Sequence, residues 1–241
     1  MKKVIKRILI IIAAIFILIL GLGLYYYFPM FFMKPAPTGQ IANADIYTIK
    51  DIASNVYFIK TGNGYIMIDA GMNSKNVEKS LKDAGINSNE VNWIFLTHSD
   101  GDHVAALTLF PNSNIYMSKD ELPLLNGTQK RSFFGGNTLP SGVNTESIKL
   151  LSNGQELLFN DTKIKCVSAP GHTTGSMLFL INDKYVFTGD AFKLKNGETS
   201  VHPYTMDANQ SRKTIEQSKE IFSKSNIILS SHYGLYYKIL N

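Results

Sequence analysis

The sequence predicts an α/β domain behind a membrane-spanning helix, and three observations predict it. Residues 8–24, Ile8 to Leu24, form an unbroken uncharged apolar run. From Asp45 onward, short strand-like runs alternate with helix-like ones. The heptad Thr97-His98-Ser99-Asp100-Gly101-Asp102-His103 lies between the strand-like run Val91–Leu96 and the helix-like run Val104–Phe110. A strand end opening into a helix is where α/β folds place their chemistry.

At the N-terminus, Lys2, Lys3, Lys6 and Arg7 precede the apolar run, and no acid occurs in the first 33 residues. About 20 apolar residues cross a bilayer. The four cations predict a cytoplasmic N-terminus in a single-pass protein, with the main domain extracytoplasmic. Tyr25, Tyr26 and Tyr27 suit the far interface. A cleaved signal peptide is the competing reading, but the small-x-small triplet Ala42-Asn43-Ala44 lies far beyond Leu24. The net charge of +5 comes mainly from this segment. Without its four cations, 20 basic side chains face 19 acidic ones, so no charge argument for a nucleic-acid partner remains. The single Cys166 excludes an intramolecular disulfide and reads as a small buried hydrophobe.

Residues 1–33 are therefore read as an anchor and residues 34–44, with Pro35 and Pro37, as a short stiff linker. The main domain begins at residue 45. Strands are expected at Ile46–Ile49, Asn55–Lys60 and Tyr65–Ile68, with a hairpin turn at Thr61–Gly64. Ser74–Ala84 suits a helix capped by Asn73 or Ser74, ended by Gly85, with Val77 and Leu81 on one face. Then follow the Val91 strand, the heptad, the Val104–Phe110 helix stopped before Pro111, and a strand at Asn114–Ser118. Residues 119–147 read as a loop with short helical pieces. Leu157–Phe159 and Thr162–Ser168 are strands. Ser176–Ile181 and Lys184–Phe187 form a hairpin around Asn182-Asp183. Asn209–Ser223 is the last helix and Asn226–Leu229 a final strand.

Four of the seven heptad side chains can bind a metal, and imidazole with carboxylate suits Zn²⁺, Mn²⁺ or Fe. The other candidates also follow strand-like runs: Gly171-His172-Thr173, Gly189-Asp190-Ala191 and Ser231-His232-Tyr233. The sequence has no Gly-x-Ser-x-Gly and no Walker loop, and Ser99 has no obvious base.

The ordered motifs Ile68-Asp69-Ala70-Gly71, Thr97–His103, Pro170–Ser176, Thr188-Gly189-Asp190 and Ser231-His232 resemble those of the metallo-β-lactamase superfamily over residues 45–241. The resemblance implies a four-layer αββα sandwich with two divalent metals at one edge, zinc foremost, with manganese or iron as alternatives. It assigns His98, Asp100 and His172 to a first metal, Asp102, His103 and His232 to a second, and Asp190 to both. Asp69 would orient the ligand loop by hydrogen bonds. Asp100 departs from the family pattern, which has a second His there. Asp is a harder ligand and puts the metal's identity in question.

The implied activity is metal-dependent hydrolysis, with a metal-bridging hydroxide attacking a small-molecule ester, thioester, lactone, amide or phosphoester. Asp102 would orient the nucleophile and accept a proton. A non-catalytic binding or sensor domain, or iron-dependent oxygen or persulfide chemistry, are the rival readings. His202 reads as a loop histidine before Pro203, or as a substrate-binding group or proton donor. Tyr204, Tyr233, Phe133 and Phe134 could line a pocket.

Overall fold

The computed structural model describes residues 2–41, 44–131 and 136–238. Phe133, Phe134 and most of the Ala42-Asn43-Ala44 triplet lie outside the described residues. The chain forms two compact units, residues 1–33 and 34–241.

In the first unit, helix α1 spans Lys2–Tyr27, and a 3₁₀ turn follows at Phe28–Phe32. Pro29 ends the helix because it has no N–H to donate. At about 1.5 Å per residue the helix is about 39 Å long, enough for a hydrocarbon core of about 30 Å. Ile8, Phe16 and Leu24 are exposed, as are most of the helix's large apolar side chains.

In the second unit the chain runs through β1 (Gly39–Gln40), β2 (Ile46–Asp51), β3 (Ser54–Thr61), β4 (Gly64–Ile68), α2 (Ser74–Ala84), β5 (Val91–Phe95), α3 (Gly101–Val104) and β6 (Asn114–Ser118). It continues through α4 (Leu122–Leu125), β7 (Ile148–Leu151), β8 (Glu156–Phe159), β9 (Thr162–Ser168), β10 (Met177–Ile181) and β11 (Tyr185–Gly189). The last elements are β12 (Lys193–Lys195), β13 (Glu198–Ser200), α5 (Ala208–Lys224), β14 (Ile227–Ser230) and β15 (Gly234–Tyr237). Among the described residues one large sheet has the order β1-β2-β3-β4-β5-β6-β7, a second has β15-β14-β11-β10-β9-β8, and β12 pairs with β13 in a small two-stranded sheet.

The layers follow from side-chain alternation along the strands. Ile66 and Ile68 of β4 turn inward to meet Phe179, Ile164 and Phe187 of the opposite sheet, while Met67 turns outward to Val77 and Leu81 of α2. On the other side, Leu178 and Val186 pack with Ile215, Ile221 and Phe222 of α5. This is the expected αββα sandwich. Helix α2 begins and ends as the sequence predicts: Asn73 accepts bonds from Lys75 and Asn76, and Gly85 is left-handed at φ 67. The Asn182-Asp183 hairpin has both residues at positive φ, as a primed turn requires.

Three expectations are corrected. Val104–Phe110 is not a helix: α3 ends at Val104, and a 3₁₀ turn covers Leu107–Leu109. The amides of Ala105 and Ala106 bond instead to the carbonyls of Gly71 and Ala70, so the end of β4 takes the donors a helix would need. Residues 34–41 are not a free linker. Lys34 N–H bonds the His232 carbonyl, the Ala36 backbone pairs with the Asn55 amide, β1 pairs with β2, and Ile41 is buried between the sheets. The strands β7, β12, β13 and β15 were not expected.

Strand direction positions the site. β4, β5 and β6 run parallel, so the residues after Ile68 and Phe95 emerge side by side. β11 and β14 are also parallel, so Asp190 and His232 emerge together from the second sheet. The Met177 amide bonds the Thr97 carbonyl and ties the two sheets at this edge.

Candidate metal centre

Asp69 follows β4 in a left-handed conformation, φ 58, which Asp tolerates better than most residues. Its carboxylate accepts from the Thr97 amide at 2.8 Å and from the Thr97 hydroxyl, and it lies 2.8 Å from His103 Nδ1. Ser231 Oγ donates to it at 3.3 Å. One carboxylate thus ties together the ends of β4, β5 and β14.

The expected donors gather in two clusters that share Asp190. Ligand atoms of Asp102, His103, Asp190 and His232 lie within 4.8 Å of one another, as do those of His98, His172 and Asp190. His232 Nε2 is 3.1 Å from Asp102 Oδ2 and 3.0 Å from Asp190 Oδ2. His103 Nε2 is 3.7 and 3.6 Å from the same two oxygens. Such spacings suit atoms sharing one ion at about 2.0–2.2 Å. The imidazoles are also oriented for this. His103 Nδ1 faces Asp69, His232 Nδ1 lies 2.6 Å from the Ala53 carbonyl, and His98 Nδ1 lies 3.0 Å from Thr97 Oγ1. Each turns Nε2 toward the carboxylates of its cluster. Among the described residues, His98 Nε2, His103 Nε2 and Asp190 Oδ1 are buried without a hydrogen-bond partner. Buried polar atoms rarely go unpaired, so these donors fit a cation.

The electrostatics agree. Burial would raise the Asp190 carboxyl, but His232 and His103 outweigh it and hold it well below the usual range. Asp102 is lowered likewise, against its burial, by His103 and His232. Burial disfavours charge on His232, yet Asp190 and Asp102 push it up to about 10, and the surrounding carboxylates raise His103 as well. Burial depresses His172.

Asp100 is engaged differently. Its Oδ2 is 3.0 Å from His172 Nε2 and 3.5 Å from His98 Nε2, at the edge of the first cluster. Arg131 holds both its oxygens, at 2.8 Å from Nε to Oδ1 and 2.7 Å from Nη2 to Oδ2, and Asn137 donates to Oδ1 at 2.8 Å.

His202 is no peripheral loop residue. It is 1% exposed, and its Nε2 lies 3.6 Å from Asp190 Oδ2 without a hydrogen-bond partner among the described residues. Burial lowers its pKa to about 3, so it is neutral. The rings of Tyr204 and Tyr233 lie 5.8 and 5.7 Å from it.

Sequence reasoning missed Arg131, Asn137 and Glu121. Buried Glu121 accepts from the Ser99 amide and hydroxyl, from Thr173 Oγ1 and from the Gly175 amide, joining the His98 and His172 loops. The available signal was Asp100 itself, since a buried carboxylate in a histidine's place calls for a counter-cation.

Residues 49–225 match the model of the metallo-beta-lactamase superfamily. A probable metallo-hydrolase of Methanocaldococcus jannaschii is 28% identical over 160 residues, 66% of each chain. A probable polyketide biosynthesis zinc-dependent hydrolase, PksB, of Bacillus subtilis is 26% identical over 147 residues, 60% of this chain and 53% of that one. The chain thus spans about two thirds of the first relative and about half of the second. Among solved structures, a B3 metallo-beta-lactamase described as having an active-site glutamic acid aligns with TM-score 0.65 at 19% identity, covering 86% of this chain and 85% of that one. The chain belongs to the metallo-beta-lactamase superfamily.

Proposed function

We propose that the hydrolytic centre is built on the Asp102, His103, Asp190 and His232 cluster, with His98 and His172 beside it. The carrying observation is the set of buried donor atoms left without partners. A divalent ion bound there supplies Lewis acidity and lowers the pKa of water. Zinc is the favoured ion, in keeping with the zinc-dependent hydrolase PksB.

The protein's own groups divide the remaining work. Asp102 is 29% exposed on its side chain, while the Asp190, His103 and His232 side chains are nearly closed off. Asp102 therefore faces the open side as an ionised proton acceptor, the role of a catalytic base. Neutral His202, with Tyr204 and Tyr233 around it, forms the wall against which a substrate is held. The substrate is a small ester, thioester, lactone, amide or phosphoester.

Helix α1 holds this enzyme at the membrane, with Lys2, Lys3, Lys6 and Arg7 cytoplasmic and the centre outside. The supporting features are the helix's exposed apolar surface and the cations before it.

The test is hydrolysis of a panel of ester, thioester, lactone, β-lactam and phosphodiester substrates by detergent-solubilised full-length protein, before and after chelation. Turnover of at least one class that chelation abolishes and zinc restores is expected. Turnover untouched by removal of all metal would overturn the reading.

A further inference from the structure

Arg131 comes from the segment between α4 and β7 and ends inside the first cluster. Its Nε donates to Asp100 Oδ1 at 2.8 Å and Oδ2 at 3.0 Å, and its Nη2 to Oδ2 at 2.7 Å. The same Nη2 lies 3.1 Å from His172 Nε2 and donates to the Tyr204 carbonyl at 2.9 Å. The side chain is 15% exposed. This is the two-pronged grip that a planar guanidinium makes on a carboxylate, and an arginine cannot relieve it by giving up its proton.

The motif's first metal would draw on His98, Asp100, His172 and the shared Asp190. Nη2 already sits against two of those four donors, at Asp100 Oδ2 and His172 Nε2. A dication coordinated by both would have to expel the guanidinium or lie beside it. The site is largely shut off from water, where like charges repel strongly. Asp100 is also already neutralised, so a cation would gain little from it.

The second cluster carries no such obstacle. Among the described residues, the ion pairs of Asp102 and Asp190 are all with histidines. The departure at position 100 and the intruding guanidinium thus form one unit, on one side of a centre whose other side is open to a metal.

We propose that this protein holds one metal ion, at Asp102, His103, Asp190 and His232, and that the Arg131 guanidinium, clamped between Asp100 and His172, stands in for the second dication that the motif implies. The inference rests on the metal-centre reading given under Proposed function. In it Arg131 is a positioning residue: it fixes the charge and geometry of the first cluster without binding the metal.

The test is a metal count. Full-length protein in detergent is stripped with a chelator, dialysed against a tenfold excess of Zn²⁺ or Co²⁺ and then against a weak chelator, and its metal is measured per chain. The wild type is expected to retain one ion. Arg131→Gln removes the charge but keeps a donor for the Tyr204 carbonyl. It is expected to retain two, with the Co²⁺ form showing spin coupling between neighbouring ions by electron paramagnetic resonance. Two ions in the wild type would overturn this inference alone. No ion in the wild type would overturn the metal-centre reading and this inference with it. An Arg131→Gln protein of native circular dichroism that retains one ion would also overturn it. If that variant does not fold, the wild-type count decides.

Discussion

Asp69 Oδ2 lies 2.8 Å from His103 Nδ1, and Asp69 makes that contact from a left-handed backbone at φ 58. The contact fixes which nitrogen of His103 faces the cluster. It also links the end of β4 to a residue 34 positions later. Asp69→Ala should weaken metal binding by about 10–100-fold, the usual effect of losing a ligand's orienting partner. Competition against a chromophoric chelator measures this, and wild-type affinity in the variant would remove Asp69 from the centre.

Glu121 binds four donors from two loops. Glu121→Ala strands the amides of Ser99 and Gly175 in a buried site. The expected loss is about 3 kcal/mol or more of folding stability. Urea unfolding of the solubilised protein reads it, and a change within about 0.5 kcal/mol, typical of surface sites, would contradict it.

Gly189 has φ 52, and a Cβ there would strike the Thr97 side chain. Gly189→Ala therefore combines left-handed strain with a clash beside Asp190. A loss of about 2 kcal/mol, or about 4 °C or more in Tm, is expected from strain and displacement together. An unchanged Tm would show that the backbone adapts freely.

The pH dependence follows from the raised histidines. Without metal, Asp190 and Asp102 outweigh burial and hold His232 protonated up to about 10, and His103 is raised in the same sense. A raised folded-state pKa gives stability that is fully present below the unfolded value of about 6.5 and is lost as pH climbs through the folded one. The lowered Asp102 and Asp190 act oppositely: their contribution is present above about 4 and is lost as pH falls. Chelated protein should therefore lose Tm between pH 7 and 10. Metal must displace the histidine protons, so zinc uptake at pH 7 should release about two protons per ion. Calorimetry in buffers of different ionisation heat counts them, and zero release would contradict the protonation scheme.

For topology, protease added to protoplasts should digest the domain and leave a short membrane-protected fragment containing Lys2–Arg7. A domain resistant until the membrane is ruptured would reverse the orientation. A mature N-terminus near Asp45 would make the segment a cleaved signal.

Local signals in the sequence were enough for the elements that depend on local rules. Asn73, Gly85 and the Asn182-Asp183 pair set helix and hairpin ends by their own backbone and side-chain preferences. The gathering of the candidate donors His98, Asp102, His103, His172, Asp190 and His232 was legible because each follows a strand whose direction the topology fixes. What failed depends on partners distant in sequence. The apolar run Val104–Phe110 loses its helix to carbonyls of the β4 end, and Ile41 is drawn into the core by pairing of β1 with β2. The grip of Arg131 on Asp100 spans 31 residues through a segment without periodicity. His202 resembled an ordinary loop histidine because only the folded chain brings it within 3.6 Å of Asp190.

The most direct measurement for the central claim pairs metal content with turnover in wild-type protein and in His103→Ala and His232→Ala, all verified as folded. The account predicts bound metal and hydrolysis in the wild type, and loss of both in each variant, because both imidazoles belong to the same cluster. Variants that hydrolyse substrate at the wild-type rate while holding no metal would contradict it.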